Sequence, residues 1–293
     1  MPYADDSLVV LPGLYFASPS VGYTWDPTQI DFTTDSGAHW RSLPAPPGVP
    51  PSHYQASATV FSAGQLWTAY STTCLPSDPC DNLISSWNGQ RWTNQVSLIP
   101  STIAAMAATP DGVDVVLNNM IGHGEATYSL ARLSAGGAVY LGSGHFTCPT
   151  NIGFADSVAA TTTAVLVECV GSFEAGWAAR LYWLSTDNGA DWTMRARDAA
   201  PPTPDLGTPP QGEGGQLAAS DGRFWVAVRR SSLYYSQDGG LTWHPTVVNG
   251  SDGGSGTIIF DGANGWCLYP GVGLWHSPDS GFTWKASPAI STG

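Results

Sequence analysis

The pattern that most restricts this chain is Asp-x-Gly-x-x-Trp placed after a short aromatic run. It stands at Asp238, Gly240 and Trp243 behind Leu233-Tyr-Tyr-Ser236, and it recurs at Asp35, Gly37 and Trp40, at Asp187, Gly189 and Trp192, and at Asp279, Gly281 and Trp284. Two weaker copies fill the gap between Trp40 and Asp187. Trp87-Asn-Gly-Gln-Arg-Trp92 keeps the Gly and the Trp, while Ala135-Gly-Gly-Ala-Val-Tyr140 keeps the Gly and replaces Trp with Tyr. The chemistry is that of a hairpin turn: a carboxylate folds back onto turn amides, a Gly takes a left-handed conformation, and an aromatic begins the returning strand. The copies, at residues 35, 87, 135, 187, 238 and 279, lie about 40 to 50 residues apart, the period of a four-stranded propeller blade. The sequence therefore predicts an all-β chain, a six-bladed β-propeller of four-stranded antiparallel blades with box hairpins, forming one domain over residues 1–293.

Strand-like runs fit this plan. The last blade reads Thr257-Ile-Ile-Phe, Gly265-Trp-Cys-Leu-Tyr, Gly273-Leu-Trp-His and Phe282-Thr-Trp-Lys, each short and rich in β-formers. Ala104, Ala105, Ala107, Ala108, Ala159, Ala160, Ala218 and Ala219 put small side chains on the strands that would converge on a crowded axis. The leading Ser7-Leu-Val-Val-Leu11 is surplus to six blades and is expected to pair with the last one, removing two open sheet edges. The proline-rich stretch from Arg197 to Gly215 reads as an extended surface loop.

Composition narrows the partners. A net charge of −13 and a single lysine, Lys285, exclude nucleic acid and anionic membrane surfaces, which call for clustered cations. No run approaches a membrane span, and Met1-Pro-Tyr-Ala-Asp-Asp lacks the charged and apolar regions of a signal peptide. The Ser, Thr, Gly and Pro content reads as a mature secreted or cell-surface domain. Cys74 and Cys80 could close a small loop by disulfide and Cys148 could pair with Cys169, leaving Cys267 as a buried thiol. No CxxC or HExxH pattern accompanies the cysteines, so no metal and no cofactor is expected.

The recurring box resembles that of the Asp-box, or BNR-repeat, β-propellers, a sialidase-like superfamily of secreted sialidases, glucan hydrolases, sortilin-type receptors and assembly factors. The resemblance spans the chain. It implies that the boxes lie on the face opposite the ligand site, which directs attention to the loops between second and third strands and to the links between blades. On blades one and two those loops hold Trp25, Asp26, His53 and Tyr54, and on blade three Met120, His123, Glu125, His145 and Phe146. On blades four to six they hold Glu174, Trp177, Glu213, Arg229, Arg230, Asp252 and Tyr269. Aromatics among carboxylates suit a sugar, whose C–H faces stack on rings and whose hydroxyls donate to carboxylates. Each residue also has a plainer role: a tryptophan anchors a loop, Asp26 before Pro27 opens a turn, and an adjacent pair such as Arg229-Arg230 is commonly a solvated one. His39, His244 and His276 fall in the box hairpins and are set aside.

Three functions of different kind follow. The leading one is an extracellular, monomeric propeller that binds a glycan or other small ligand through Trp25, Asp26, His53, Tyr54, His123, Glu125, Glu174, Trp177, Arg229 and Arg230. The second is a carbohydrate-active enzyme. A glycoside hydrolase would set two carboxylates from Asp26, Glu125, Glu174, Glu213 and Asp252 across a cleft, and a lyase would use His53, His123 and His145 with Glu125. For a sialidase, the resemblance demands three arginines on a substrate carboxylate and a tyrosine backed by a glutamate. This chain departs from that pattern, because Arg41, Arg91 and Lys285 fall at box turns. The third is a scaffold that recognises another protein by its rim.

Overall fold

The computed structural model describes residues 13–16, 20–25, 29–35, 37–47, 54–72, 82–97, 102–119, 126–137, 139–149, 153–174, 177–198, 205–210, 213–229, 233–246, 257–269 and 273–286. The chain is all-β, a six-bladed β-propeller of mostly four-stranded antiparallel sheets. It divides into two compact units, Met1–Ile99 with two blades and Pro100–Gly293 with four.

In the first unit, blade one is β1 (Gly13–Phe16), β2 (Gly22–Trp25), β3 (Ile30–Thr33) and β4 (Arg41–Ser42), and blade two is β5 (Tyr54–Ser62), β6 (Gln65–Thr72), β7 (Asn82–Trp87) and β8 (Trp92–Ser97). Tyr23 stacks on Phe61 with ring centroids 5.7 Å apart. Trp92 Nε1 donates to the Pro44 carbonyl at 2.6 Å, tying the blade-two turn to blade one.

In the second unit, blade three is β9 (Thr102–Thr109), β10 (Gly112–Asn118) and β11 (Ala126–Ser134), with an outer strand split into β12 (Val139–Leu141) and β13 (Phe146–Cys148). Blade four is β14 (Phe154–Ala160), β15 (Val165–Glu174), β16 (Trp177–Ser185) and β17 (Thr193–Arg197). Blade five is β18 (Glu213–Ser220), β19 (Arg223–Arg229), β20 (Leu233–Ser236) and β21 (His244–Thr246), and blade six is β22 (Thr257–Asp261), β23 (Asn264–Tyr269), β24 (Gly273–Ser277) and β25 (Lys285–Ala286). The inner strands β9, β14, β18 and β22 stand side by side. Alanine permits this approach: Ala105, Ala107, Ala155 and Ala160 are buried among Val158, Val167, Tyr128 and Leu130 in the core between blades three and four. Side chains also stitch inner strands together, with the Leu217 N–H donating to Ser157 Oγ at 2.8 Å and the Ile258 N–H to Gln216 Oε1 at 3.2 Å.

Four box hairpins share one construction, and it includes a residue two positions before the aspartate. Thr33, Ser185, Ser236 and Ser277 each donate a hydroxyl to Oδ1 of Asp35, Asp187, Asp238 or Asp279 at 2.8–2.9 Å. The same hydroxyl accepts the N–H of Gly37, Gly189, Gly240 or Gly281. Oδ1 then accepts the N–H four residues on, from His39, Asp191, Thr242 or Thr283. These bonds, led by those from His39, Asp191 and Thr283, hold the Asp35, Asp187 and Asp279 carboxyls below the usual range. At Asp238 burial pushes upward, and the Thr242 bonds outweigh it. Gly281 has φ +86°, and a Cβ placed on it would sit 2.2 Å from Trp225 Cζ2 of the preceding blade, so glycine is required twice over. The box tryptophans wedge against the same neighbour: Trp192 on Phe146 of blade three, Trp243 on Tyr182 of blade four, Trp284 on Trp225 of blade five.

The two weaker copies are different turns. Trp87 pairs directly with Trp92, leaving a tight turn in which Asn88 Oδ1 accepts the N–H groups of Gln90 and Arg91. In blade three Leu133 pairs with Val139 across a turn without a carboxylate, and Tyr140 lies exposed on the edge rather than wedged between blades. The outer strands start later than the sequence implies, since Trp192, Trp243 and Trp284 belong to the turns.

Cys148 and Cys169 form a disulfide that clips blade three to blade four, and Cys267 is a buried thiol in β23. The proline-rich stretch is not simply a surface loop. Gly207 pairs in parallel with Ala196 of β17, and Pro209 and Pro210 are buried. Cys74, Cys80 and the Ser7–Leu11 run lie outside the described residues.

Candidate functional site at the blade ends opposite the boxes

Each blade is a meander, so the hairpin joining its second and third strands lies at the end away from the box. Blade four makes the most of that end. Its β14–β15 ladder stops at Val170 and its β16–β17 ladder at Leu181, but β15 and β16 run on together through Phe173 with Ala178 to Glu174 with Trp177. Gly171 to Glu174 thus overhang the sheet by roughly 13 Å at a strand rise of ~3.3 Å per residue. The sequence places Glu174 and Trp177 in a loop; they are instead the last cross-strand pair of a hairpin, separated by two residues.

Other expected site residues also lie at strand ends. Trp25 closes β2, pairs with Ile30 and is half-buried. Tyr54 opens β5 opposite Thr72, and Arg229 closes β19 opposite Glu213. For Tyr54, Glu174, Trp177 and Arg229 only the backbone position is described. Asp26, His53, His123, Glu125 and Arg230 lie outside the described residues, as do Met120 and Asp252. His145 is exposed between β12 and β13, next to Gly144, whose N–H donates to the Gly189 carbonyl of the blade-four box. That places it on the outer edge, away from the overhanging hairpin. Its neighbour Phe146 is core, stacked on Tyr128 at 5.3 Å.

Behind the overhang lies a charge cluster that the loop-based reading misses. Phe154, Val170 and Arg180 share one rung of blade four, and Ser157, Glu168 and Tyr182 share another, two residues along β15 and β16 and three along β14, where a bulge between Ala155 and Ser157 inserts one, so all six face the blade-five side. Arg180, Glu168 and Tyr182 are sealed from solvent. Arg180 Nε lies 3.3 Å from Glu168 Oε1, Tyr182 Oη donates to the same oxygen at 3.1 Å, and Arg180 Nη1 donates to the Pro210 carbonyl at 3.2 Å. The Arg180 N–H donates to Asp198 Oδ2. Glu168 Oε2 accepts no hydrogen bond among the described residues. Burial pushes the Glu168 carboxyl up to about 7; Arg180 pulls it down less than burial raises it, and Asp156 adds to the rise. The Tyr182 hydroxyl is raised well above its ordinary range, by burial first and by Glu168 next. A tyrosine and a glutamate thus stand together as a sialidase would need them, but with no surface through which a substrate could reach them. The signal was present: Glu168 and Arg180 are lone charges within Val165-Leu-Val-Glu-Cys-Val170 and Ala178-Ala-Arg-Leu-Tyr-Trp183.

Among the described residues no group of three or more His, Cys, Asp and Glu is placed to hold a metal ion, and no helix is long and apolar enough to cross a membrane.

No protein-family model and no curated protein matches the chain. Among solved structures, it is similar to Ycf48 from Cyanidioschyzon merolae, with a TM-score of 0.55 and 15% identity, covering 94% of this chain and 84% of that one. It is similar to the Trypanosoma rangeli sialidase solved with 2,3-difluorosialic acid (TM-score 0.54, 11% identity, 88% of this chain and 51% of that one). A prolyl endopeptidase matches with a TM-score of 0.51 at 11% identity, over 95% of this chain and 43% of its own. At these identities the likeness is one of fold.

Proposed function

We propose that the protein is a binding propeller of the Asp-box type, a secreted or cell-surface monomer that takes a glycan or other small ligand at the blade ends opposite the boxes. The observation that carries this reading is the overhanging β15–β16 hairpin, which holds Glu174 and Trp177 as cross-strand neighbours beyond the sheet. An aromatic beside a carboxylate offers a sugar both a stacking face and a hydrogen-bond acceptor. Binding is favoured over catalysis because the one Tyr–Glu–Arg constellation described is buried, and a fold by itself confers no chemistry. The Cys148–Cys169 disulfide supports an oxidising compartment.

The test is a glycan array followed by calorimetry on the parent and on Trp177→Ala and Glu174→Ala. We expect each variant to lose about tenfold or more in affinity, the size of one lost stacking or charged hydrogen bond, with a melting temperature close to the parent's. Affinity unchanged in both would overturn the reading and leave a protein-recognising rim as the function. Turnover of a bound glycan that disappears in Glu174→Gln while binding persists would make the protein a glycosidase.

A further inference from the structure

β12 is the outer edge strand of blade three, and its three residues are exposed in succession: Val139 44%, Tyr140 48% and Leu141 61%. The other exposed large apolar side chains among the described residues, Trp40, Phe154 and Phe282, stand singly. From Leu133 to Ala155 the sequence carries no Asp, Glu, Lys or Arg, so no charge interrupts this edge. The remaining outer strands of the second unit are protected in the ways that sheet edges usually are. β17 is paired on its outer side by Gly207, β21 carries Pro245, and β25 is two residues long and begins with Lys285. β12 has none of these devices.

The ladder shows what the edge offers. The Gly142 N–H donates to the Leu130 carbonyl, and bonded pairs alternate along an antiparallel ladder. Tyr140 is therefore the residue bonded to Arg132, while the N–H and C=O groups of Val139 and Leu141 point away from β11. The strand is held at both ends, by the Gly137 N–H on the Ser134 carbonyl before it and by the Gly144 N–H on the Gly189 carbonyl after it. Val139 and Leu141 share one face. Tyr140 shares the other with Arg132, which reaches Asn188 in the box of blade four. Asp187 and Asp191, both exposed, flank that box.

We propose that β12 takes an extended peptide segment of a partner protein as an added antiparallel strand. Apolar residues of the segment lie opposite Val139 and Leu141, and a basic residue lies opposite Gly142, on the side of Asp187 and Asp191. An extended polypeptide supplies donors and acceptors together at the two-residue repeat of ~7 Å that this edge presents; a sugar does not. A second copy of the chain fits less well. Three side chains fall well short of the ~800 Å² per partner of a standard interface, and two chains of net charge −13 repel each other. β12 is an outer strand, so the inference does not rest on the ligand face proposed above.

The experiment titrates acetyl-Arg-Val-Tyr-Val-Thr-amide into the full chain by NMR. N-methylation of its two valines removes the donors that face β12, and we expect a loss of at least about tenfold in affinity, the size of one or two hydrogen bonds. N-methylation of its tyrosine and threonine, whose N–H groups face outward, should change affinity less than about threefold. Replacing its arginine with glutamate should weaken it a few-fold, as befits exposed charges. Leu141→Pro removes one outward N–H of the edge without touching the β11 ladder, so it should cost about tenfold while the melting temperature stays close to the parent's. Equal losses from the two methylation patterns, undiminished binding to a folded Leu141→Pro, or no binding by the parent at millimolar probe would overturn the proposal. If Leu141→Pro does not fold, the two methylated probes decide the matter on the intact chain. If sedimentation shows the parent to be a dimer that Leu141→Pro dissociates, the occupant is a second copy and the peptide falls.

Discussion

Blades three and four each set a buried carboxylate against an arginine on their second and third strands, and they use them differently. In blade three Asp114 and Arg132 are direct cross-strand partners near the box end. Arg132 Nε and Nη2 grip both Asp114 oxygens at 2.6 and 2.7 Å, and Nη1 donates to Asn188 in the box of blade four. In blade four Glu168 and Arg180 are offset by one rung pair, one carboxylate oxygen is left without a donor, and the cluster lies toward the opposite end. The same signature, a lone charge in an apolar strand, thus locks two blades in one place and leaves one buried acceptor without a donor in the other. Burial outweighs the arginine in both places and holds both carboxyls above the usual range; the difference is that both Asp114 oxygens are met and one Glu168 oxygen is not.

The first way to break the contrast is to remove each arginine. Arg132→Met leaves Asp114 buried without its partner, and we expect a loss of about 3–5 kcal/mol in urea unfolding, the usual penalty for an orphaned buried charge. Arg180→Met should cost less at pH 6, because Glu168, already pushed up to about 7, can take a proton and shed its charge. Equal losses for the two variants would show that the pairs are equivalent. The second is to cut the Cys148–Cys169 clip between these blades. Cys148→Ser with Cys169→Ser should cost about 3 kcal/mol for a closed loop of this length, read from the shift in urea midpoint at constant slope. A negligible shift would mean that the blades hold each other without it.

The third concerns the box of blade five, where Asp238 Oδ1 accepts three hydrogen bonds. Asp238→Ala removes the acceptor for the Leu241 and Thr242 N–H groups and for the Ser236 hydroxyl. We expect a loss of roughly 1–2 kcal/mol with ligand affinity unchanged. A variant that melts like the parent but no longer binds would move the working face to the boxes.

What could be read from the sequence followed from period and composition. Box spacing made the six blades legible, alanines marked the inner strands, and Cys148 with Cys169 stood out as a pair. What escaped was set by register. Thr33, Ser185, Ser236 and Ser277 all stand two before their aspartates, a regularity visible in the sequence whose meaning emerges only when the hydroxyl is seen bridging the Asp and the Gly. Glu174 and Trp177 resemble loop residues until the β15–β16 ladder is traced past its neighbours. Glu168 and Arg180, twelve positions apart, meet only because the hairpin between them has a register shift at Val170 to Phe173. The bulge between Ala155 and Ser157, which puts Phe154 and Ser157 on one face, leaves no trace in the sequence pattern.

The pH dependence sharpens the contrast most directly, because it is a matter of sign. Glu168 has a folded-state value raised from 4.5 to about 7, so between those pH values the native state holds a proton that the unfolded chain has lost. Its contribution must therefore fall as pH rises through that window, by at most about 1.4 kcal/mol per pH unit. The box aspartates act in the opposite sense, since their lowered values add stability that is lost as pH drops below about 4, and they leave the window clear. Glu168→Gln keeps the shape and removes the titration, so at pH 5 we expect a stability near the parent's, and from pH 5 to 7 a profile flatter than the parent's. If urea midpoints of parent and variant run parallel across that range, Glu168 is not the proton acceptor, and the excess of carboxylates in blade four is neutralised by a partner that Arg180 and Tyr182 do not supply.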